Sequence, residues 1–133
     1  MSIPSSTIAA SPLAGCLGDL QMDRENSTAR ALLRCPGDFP GFAGHFPGQP
    51  VLPAVLQLLA VRLLAQALLG EELAPVGVER LKFKGMVGPE EPVNLRVQVR
   101  WSEGRFACEF SLDRSGAAIA SGILLFRRSG AGK

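Results

Sequence analysis

The run from Ala54 to Leu69 constrains this chain more than any other stretch. Leu, Ala, Val and Gln dominate it, and all but the valines are good or neutral helix formers. Pro53 suits a first helical position, where its missing N–H would lack a partner anyway, and Gly70 offers a C-terminal stop. Around the wheel only Gln57, Arg62 and Gln66 are polar, so the helix is apolar nearly all round and belongs in an interior. Sixteen residues with an arginine among them are too short and too polar for a membrane span. The pattern predicts a core helix that other elements wrap.

The remaining segments supply strands. Leu17 to Met22 reads as a short edge strand, and Thr28 to Arg34 as a strand leading into a loop. After Gly70 a loop around Pro75 is expected. Val78 to Lys84 then alternates, with Arg80, Lys82 and Lys84 on one face and Leu81 and Phe83 on the other, as a half-buried strand does. Val93, Leu95, Val97, Val99 and Trp101 share one face of the next strand, opposite Asn94, Arg96, Gln98 and Arg100. Glu103-Gly104 marks a hairpin turn, followed by an inner face of Phe106, Cys108, Phe110 and Leu112. Ser115-Gly116 turns the chain again, and Ala117 to Phe126 is apolar enough to pack on both faces. Residues 1 to about 15 and 129 to 133 are expected to be loose ends of one domain spanning residues 1–133. One helix among alternating strands is an α+β pattern.

The loop before the helix carries the chemistry. Gly44 to Leu59 contains the single histidine, His45, and the prolines at 47, 50 and 53. Pro47 and Pro50 bias Phe46 and Gln49 toward extended geometry, which makes a stiff lead-in to the helix start. A helix start offers unpaired N–H groups and partial positive charge, so a histidine beside it suits acid–base work on a carbonyl compound. A histidine packed into a turn for structural reasons accounts for the same residues.

Composition narrows the classes. At 133 residues, 47% apolar and 20% charged, the chain suits one soluble globular domain. A net charge of +2, one Trp and no Tyr give neither the basic field nor the stacking surface of a nucleic-acid binder. Cys16, Cys35 and Cys108 have no metal spacing and read as reduced thiols of a cytoplasmic protein. Leu13-Ala14-Gly15-Cys16 superficially resembles a lipoprotein cleavage box, but no Lys or Arg precedes it and Pro4 and Pro12 interrupt any apolar run, so no export signal is expected. No metal or nucleotide motif is present, and no cofactor is expected.

The stretch GHFPGQPVLPAVLQL, from Gly44 to Leu58, resembles the signature of the FabA/FabZ-type 3-hydroxyacyl-acyl-carrier-protein dehydratases, usually GHFPGxPVxPGVLxxE/D. It is most similar to the short ApeI-like branch, which tends to read VLPGVxQL. Cys35 to Ala43 resembles the lead-in, and Arg80 to Pro89 resembles the "xRFxxxVxPGD" strand and turn, so the resemblance spans roughly residues 28 to 128. It implies a hotdog fold, in which a curved antiparallel sheet wraps one long central helix.

It also implies a mechanism. A histidine, here His45, removes the C2 proton of a 3-hydroxyacyl thioester, and a carboxylic acid helps the 3-hydroxyl leave as water. A backbone N–H at the helix start holds the thioester carbonyl. That donor falls on Ala54, where the family usually has Gly. The acyl chain runs in a tunnel lined by residues such as Leu56 and Leu59. The family's Glu or Asp stands fourteen positions after the histidine, and this chain has Leu59 there. Leucine cannot donate a proton. Gln57 points about 200° away around the helix, and Arg62 is a poor proton donor that suits an anion.

In the family, each site faces the histidine of one subunit toward the acid of another. The resemblance therefore implies a dehydratase that is weak or inactive as an isolated homodimer, and complete only beside a hotdog homologue that keeps its acid. The implied substrates are acyl-carrier-protein thioesters of fatty-acid or polyketide/polyene biosynthesis. A non-catalytic subunit that binds acyl chains or carrier protein is the alternative. A hotdog thioesterase would bring its own helix carboxylate, and Leu59 counts against it. Carrier proteins are acidic, so Arg80, Lys82, Lys84, Arg127 and Arg128 form a candidate docking patch; a solvated strand face is the plainer reading.

Overall fold

A computed structural model gives the fold and describes residues 12–42 and 51–129. Among the described residues six strands form one antiparallel sheet: β1 Leu17–Asp23, β2 Thr28–Leu33, β3 Leu73–Phe83, β4 Val93–Ser102, β5 Arg105–Arg114 and β6 Ala117–Arg128. Their order is β1-β2-β4-β5-β6-β3, so β1 and β3 are the edges. One helix, α1 Ala54–Leu69, packs against the sheet's inner face. Short 3-10 turns occupy Pro12–Cys16 and Pro40–Phe42.

The helix has the bounds expected from its composition, with one shift at its start. Pro53 is the residue before the first helical one, with φ −61° and ψ 152°, so Ala54 opens the helix. Proline's fixed φ fits that extended position as well as the first turn. Gly70 closes the helix in the left-handed region at φ 72°, its N–H donating to Gln66 O at 2.8 Å. Arg24, from the β1–β2 connection, donates to the Leu68 and Ala67 carbonyls at 3.1 and 3.2 Å, which places a cation at the negative end of the helix dipole.

Alternation set most of the sheet. Val93, Leu95, Val97 and Val99 of β4 are buried in the core, as are Phe106, Cys108, Phe110 and Leu112 of β5, while Asn94, Arg96, Gln98 and Arg100 are exposed. Each fully buried Val, Leu or Phe contributes about 1.5–3 kcal/mol, so these two strands and Leu63, Leu64 and Leu68 of α1 dominate the core. β6 is buried on both faces in part, with Leu124 and Phe126 on one side and Leu125 on the other.

Three expectations need correction. Trp101 shares the inward register of β4 but is 53% exposed, since the strand's end outruns the core; the Arg128 guanidinium covers its ring at 4.9 Å. β3 begins at Leu73, so Pro75 lies in a strand and not in a loop. An edge strand tolerates proline because one side of its backbone needs no partner, and the register slips between Pro75 and Gly77. β3 is also not half-buried: beyond Leu73 and Ala74 it is exposed throughout, and Arg80 at φ 55° sits in a second irregularity that breaks the alternation. At the chain ends, Leu13 and Cys16 are buried in the core, and β6 runs to Arg128.

Candidate active site

His45 and the loop from residue 43 to 50 lie outside the described residues. The chain on either side of them converges on one turn, residues 86 to 91. Leu52 N donates to Val87 O at 2.7 Å. Glu90 N donates to Cys35 O at 2.7 Å, and Glu90 Oε2 accepts from Gly37 N at 3.2 Å. Arg34 pairs with Glu90 Oε1 at 3.1 Å. Glu90 stands where the "VxPGD" pattern has glycine, and it keeps the left-handed backbone expected of glycine, φ 63°. The following Glu91 accepts from Gly88 N at 2.7 Å and Arg114 Nη2 at 3.0 Å, which fixes the turn internally.

The helix begins beside this anchor. Ala54 is exposed at its first position, where a backbone N–H has no intrahelical acceptor. Among the described residues, no side chain caps this end. Gln57 is buried and donates to Leu52 O at 3.1 Å, tying the first turn back to the incoming chain; its Oε1 has no partner among the described residues.

Along one face of α1, Val55, Leu58, Leu59 and Arg62 line a cavity of about 390 Å³. Pro75, Gly77 and Val78 of β3 form the facing wall, with Leu124 and Phe126 of β6 behind them. Leu59 thus stands in an apolar cavity whose lining, among the described residues, contains no carboxylate. Leu56 packs against the core and is not part of this lining. Among the described residues Arg62 is the one charged group in the lining, and its Nε donates to Leu73 O at 2.9 Å and to Gln66 Oε1 at 3.3 Å. Gln66 Oε1 also accepts from Leu73 N at 2.8 Å, so the two polar residues of the helix's second half bind the start of β3. The β3 wall escaped the sequence reading because Pro75 and Gly77 interrupt any periodicity. The apolar run Leu73-Ala74-Pro75-Val76 was the available signal.

The basic residues do not gather in one place. Arg127 and Arg128 pair with Ala74 and Leu73, whereas Lys82 pairs with Ser121 at the far end of β3. At about 3.3 Å per residue the two groups are roughly 25 Å apart. Arg128 is also committed to Glu71 at 3.0 Å and to the Trp101 ring. Arg80, Lys82 and Lys84 are all exposed. The three cysteines are buried, and burial pushes the Cys108 thiol up to about 12; Cys35 is raised by burial and by Cys16 beside it. Among the described residues, no cluster of His, Cys, Asp and Glu is suited to a metal ion.

Comparison with known proteins assigns the family. The ApeI-like family, described as ApeI dehydratase, matches residues 21–123. A FabZ 3-hydroxyacyl-[acyl-carrier-protein] dehydratase from Herpetosiphon aurantiacus is 34% identical over 97 residues, covering 65% of this chain and 67% of that protein. The chain belongs to the ApeI-like dehydratase family. A second FabZ, from Shewanella denitrificans, is 39% identical over 70 residues, covering 45% of this chain and 46% of its own length. This chain therefore spans between about half and two thirds of such relatives.

Among solved structures, the dehydratase heterocomplex ApeI:P from Xenorhabdus doucetiae is similar with a TM-score of 0.65 and 26% identity, over 77% of this chain and 89% of that one. An uncharacterised protein from Erwinia carotovora subsp. atroseptica reaches a TM-score of 0.66 over 85% of this chain and 93% of its own, at 24% identity, a likeness of fold alone. The curved antiparallel sheet with one helix is the hotdog fold.

Proposed function

We propose that this ApeI-like chain supplies one half of a 3-hydroxyacyl thioester dehydratase site, on carrier-protein-bound substrates of fatty-acid or polyketide/polyene assembly in the cytoplasm. His45 takes the C2 proton. The Ala54 N–H holds the thioester carbonyl as negative charge develops on it. A carboxylic acid on a partner hotdog subunit protonates the departing 3-hydroxyl, which leaves as water while the C2–C3 double bond forms. The proton held by the imidazole then returns through solvent to the carboxylate. These are proton transfers alone, and they need no cofactor.

One observation supports the proposal: Leu59, fourteen positions after His45, lines a cavity that shows no carboxylate among its described lining residues. A lone base without its acid forfeits about 10²–10⁴ in rate, so an isolated homodimer is weak or inactive. The similarity to a dehydratase heterocomplex supports a partner. So does β3, an edge strand with Val76, Val78, Leu81 and Phe83 exposed, which suits pairing with a second sheet. Lys82 and Lys84, with Arg80, remain the better half of the candidate carrier-protein patch, since Arg128 is already paired. Among the described residues, no helix is long and apolar enough to cross a membrane.

The test is mass-spectrometric detection of water loss from a 3-hydroxyacyl carrier protein. The chain alone should convert little. Adding a hotdog homologue with its helix carboxylate should restore turnover, and His45→Ala in this chain should abolish it. Full activity of the chain alone would refute partner dependence. Inactivity in every mixture would leave the reading of a subunit that binds acyl chains without turnover.

A further inference from the structure

An acyl chain in the cavity beside Leu59, which the proposed function requires, leaves Arg62 unexplained. A guanidinium carries five N–H donors. The Nε–H of Arg62 is shared between Leu73 O and Gln66 Oε1, and the four N–H groups on its terminal nitrogens have no protein partner among the described residues. None of the ion pairs formed by described residues includes it. It nevertheless lines an otherwise apolar cavity, one helical turn beyond Leu59. Arg62 is partly exposed, so these donors face the open side of the cavity, where solvent or an incoming ligand can meet them. The arrangement is also stiff. Gln66 is 1% exposed and holds both the guanidinium and the Leu73 N–H, so the fork is oriented before any ligand arrives.

We propose that this cavity binds an aliphatic chain bearing a carboxylate, and that the terminal nitrogens of Arg62 receive the carboxylate as a two-pronged pair while Leu59, Val78 and Phe126 cover the methylenes. A planar carboxylate matches the guanidinium fork as no neutral chain end does. The inference rests on the cavity taking an acyl chain, and it adds a preference: Arg62 is a specificity-determining residue that selects chains with an anionic end. The carboxylate has two sources, the head group of a free fatty acid or the far end of an ω-carboxyacyl thioester.

Calorimetric titration of the purified full chain separates these cases with three probes of equal length: octanoate, the octanoyl thioester of N-acetylcysteamine, and the same thioester made on one end of octanedioic acid. Binding of a carboxylate-bearing probe should exceed that of the plain octanoyl thioester by about tenfold to a hundredfold, the ratio that charge-assisted hydrogen bonds supply. Whichever carboxylate probe binds tighter identifies the source. Arg62→Met, which keeps the aliphatic bulk, should erase the preference while retaining the plain thioester. Equal affinity of wild type for charged and neutral probes overturns the inference and leaves the acyl cavity standing. Absence of binding by all three overturns it as well. Neither result touches the dehydration assay, which tests the underlying reading separately.

Discussion

Leu59→Glu tests the proposed acid position directly. Leu59 is half-buried on α1 and lines the cavity, so the new carboxyl lies among apolar walls with Arg62 one turn on. The loss of leucine burial costs about 1 kcal/mol, roughly half the value for a fully buried side chain. Desolvation adds to that cost, and the Arg62 pair at i, i+3 offsets part of it. A fall in Tm of about 3–6 °C is expected for a domain of this size. In exchange, a homodimer of the variant would hold both His45 and a carboxylic acid, and dehydration of a 3-hydroxyacyl carrier protein should rise by about 10²–10⁴ over wild type. Leu59→Gln is the control, with the same shape and no proton to give; it should match wild type. A folded Leu59→Glu protein that stays inactive, while a mixture with an acid-bearing homologue is active, would refute the idea that Leu59 marks the vacant acid position. Equal gains for Glu and Gln would refute the acid role itself.

Two further outcomes follow from the packing. A Cβ on Gly122 would stand 3.1 Å from the Phe110 ring and 3.2 Å from the backbone of Leu81, so Gly122→Ala should push β3 from β6 and lower stability by about 1–3 kcal/mol in urea unfolding; a change within about 0.3 kcal/mol would contradict the contact. The buried Cys108 thiol keeps its proton to about pH 12 in the folded chain against an ordinary value of 9.0. Unfolding then releases a proton above pH 9, so this stabilisation is whole below pH 9 and declines as pH rises toward 12. Urea midpoints measured across that range should fall, and Cys108→Ala should flatten the slope; an unchanged slope would assign the alkaline loss to other groups.

Much of the fold is local, and local patterns were legible. The bounds of α1 follow from Pro53, Gly70 and the apolar residues between them, because capping and propensity act within a few residues. The inner faces of β4 and β5 follow from strict alternation, since successive strand side chains point to opposite faces. The motif around His45 and the leucine fourteen positions after it are properties of the sequence alone. What tertiary structure decided lies across long sequence separations. That β3 is an edge, and so exposed despite its hydrophobic residues, depends on which strands neighbour it, and nothing within Leu73–Phe83 states that. The cavity exists because one face of α1 meets the β3–β6 pair, and it shows Arg62 held by Leu73 and Gln66 in an apolar lining. Likewise, only folding brings Glu90 to Gly37 and Arg34, where a glutamate in a left-handed turn braces the chain entering the histidine loop. Periodicity records which way a side chain faces; which other segment it meets is settled by packing the whole chain into one core.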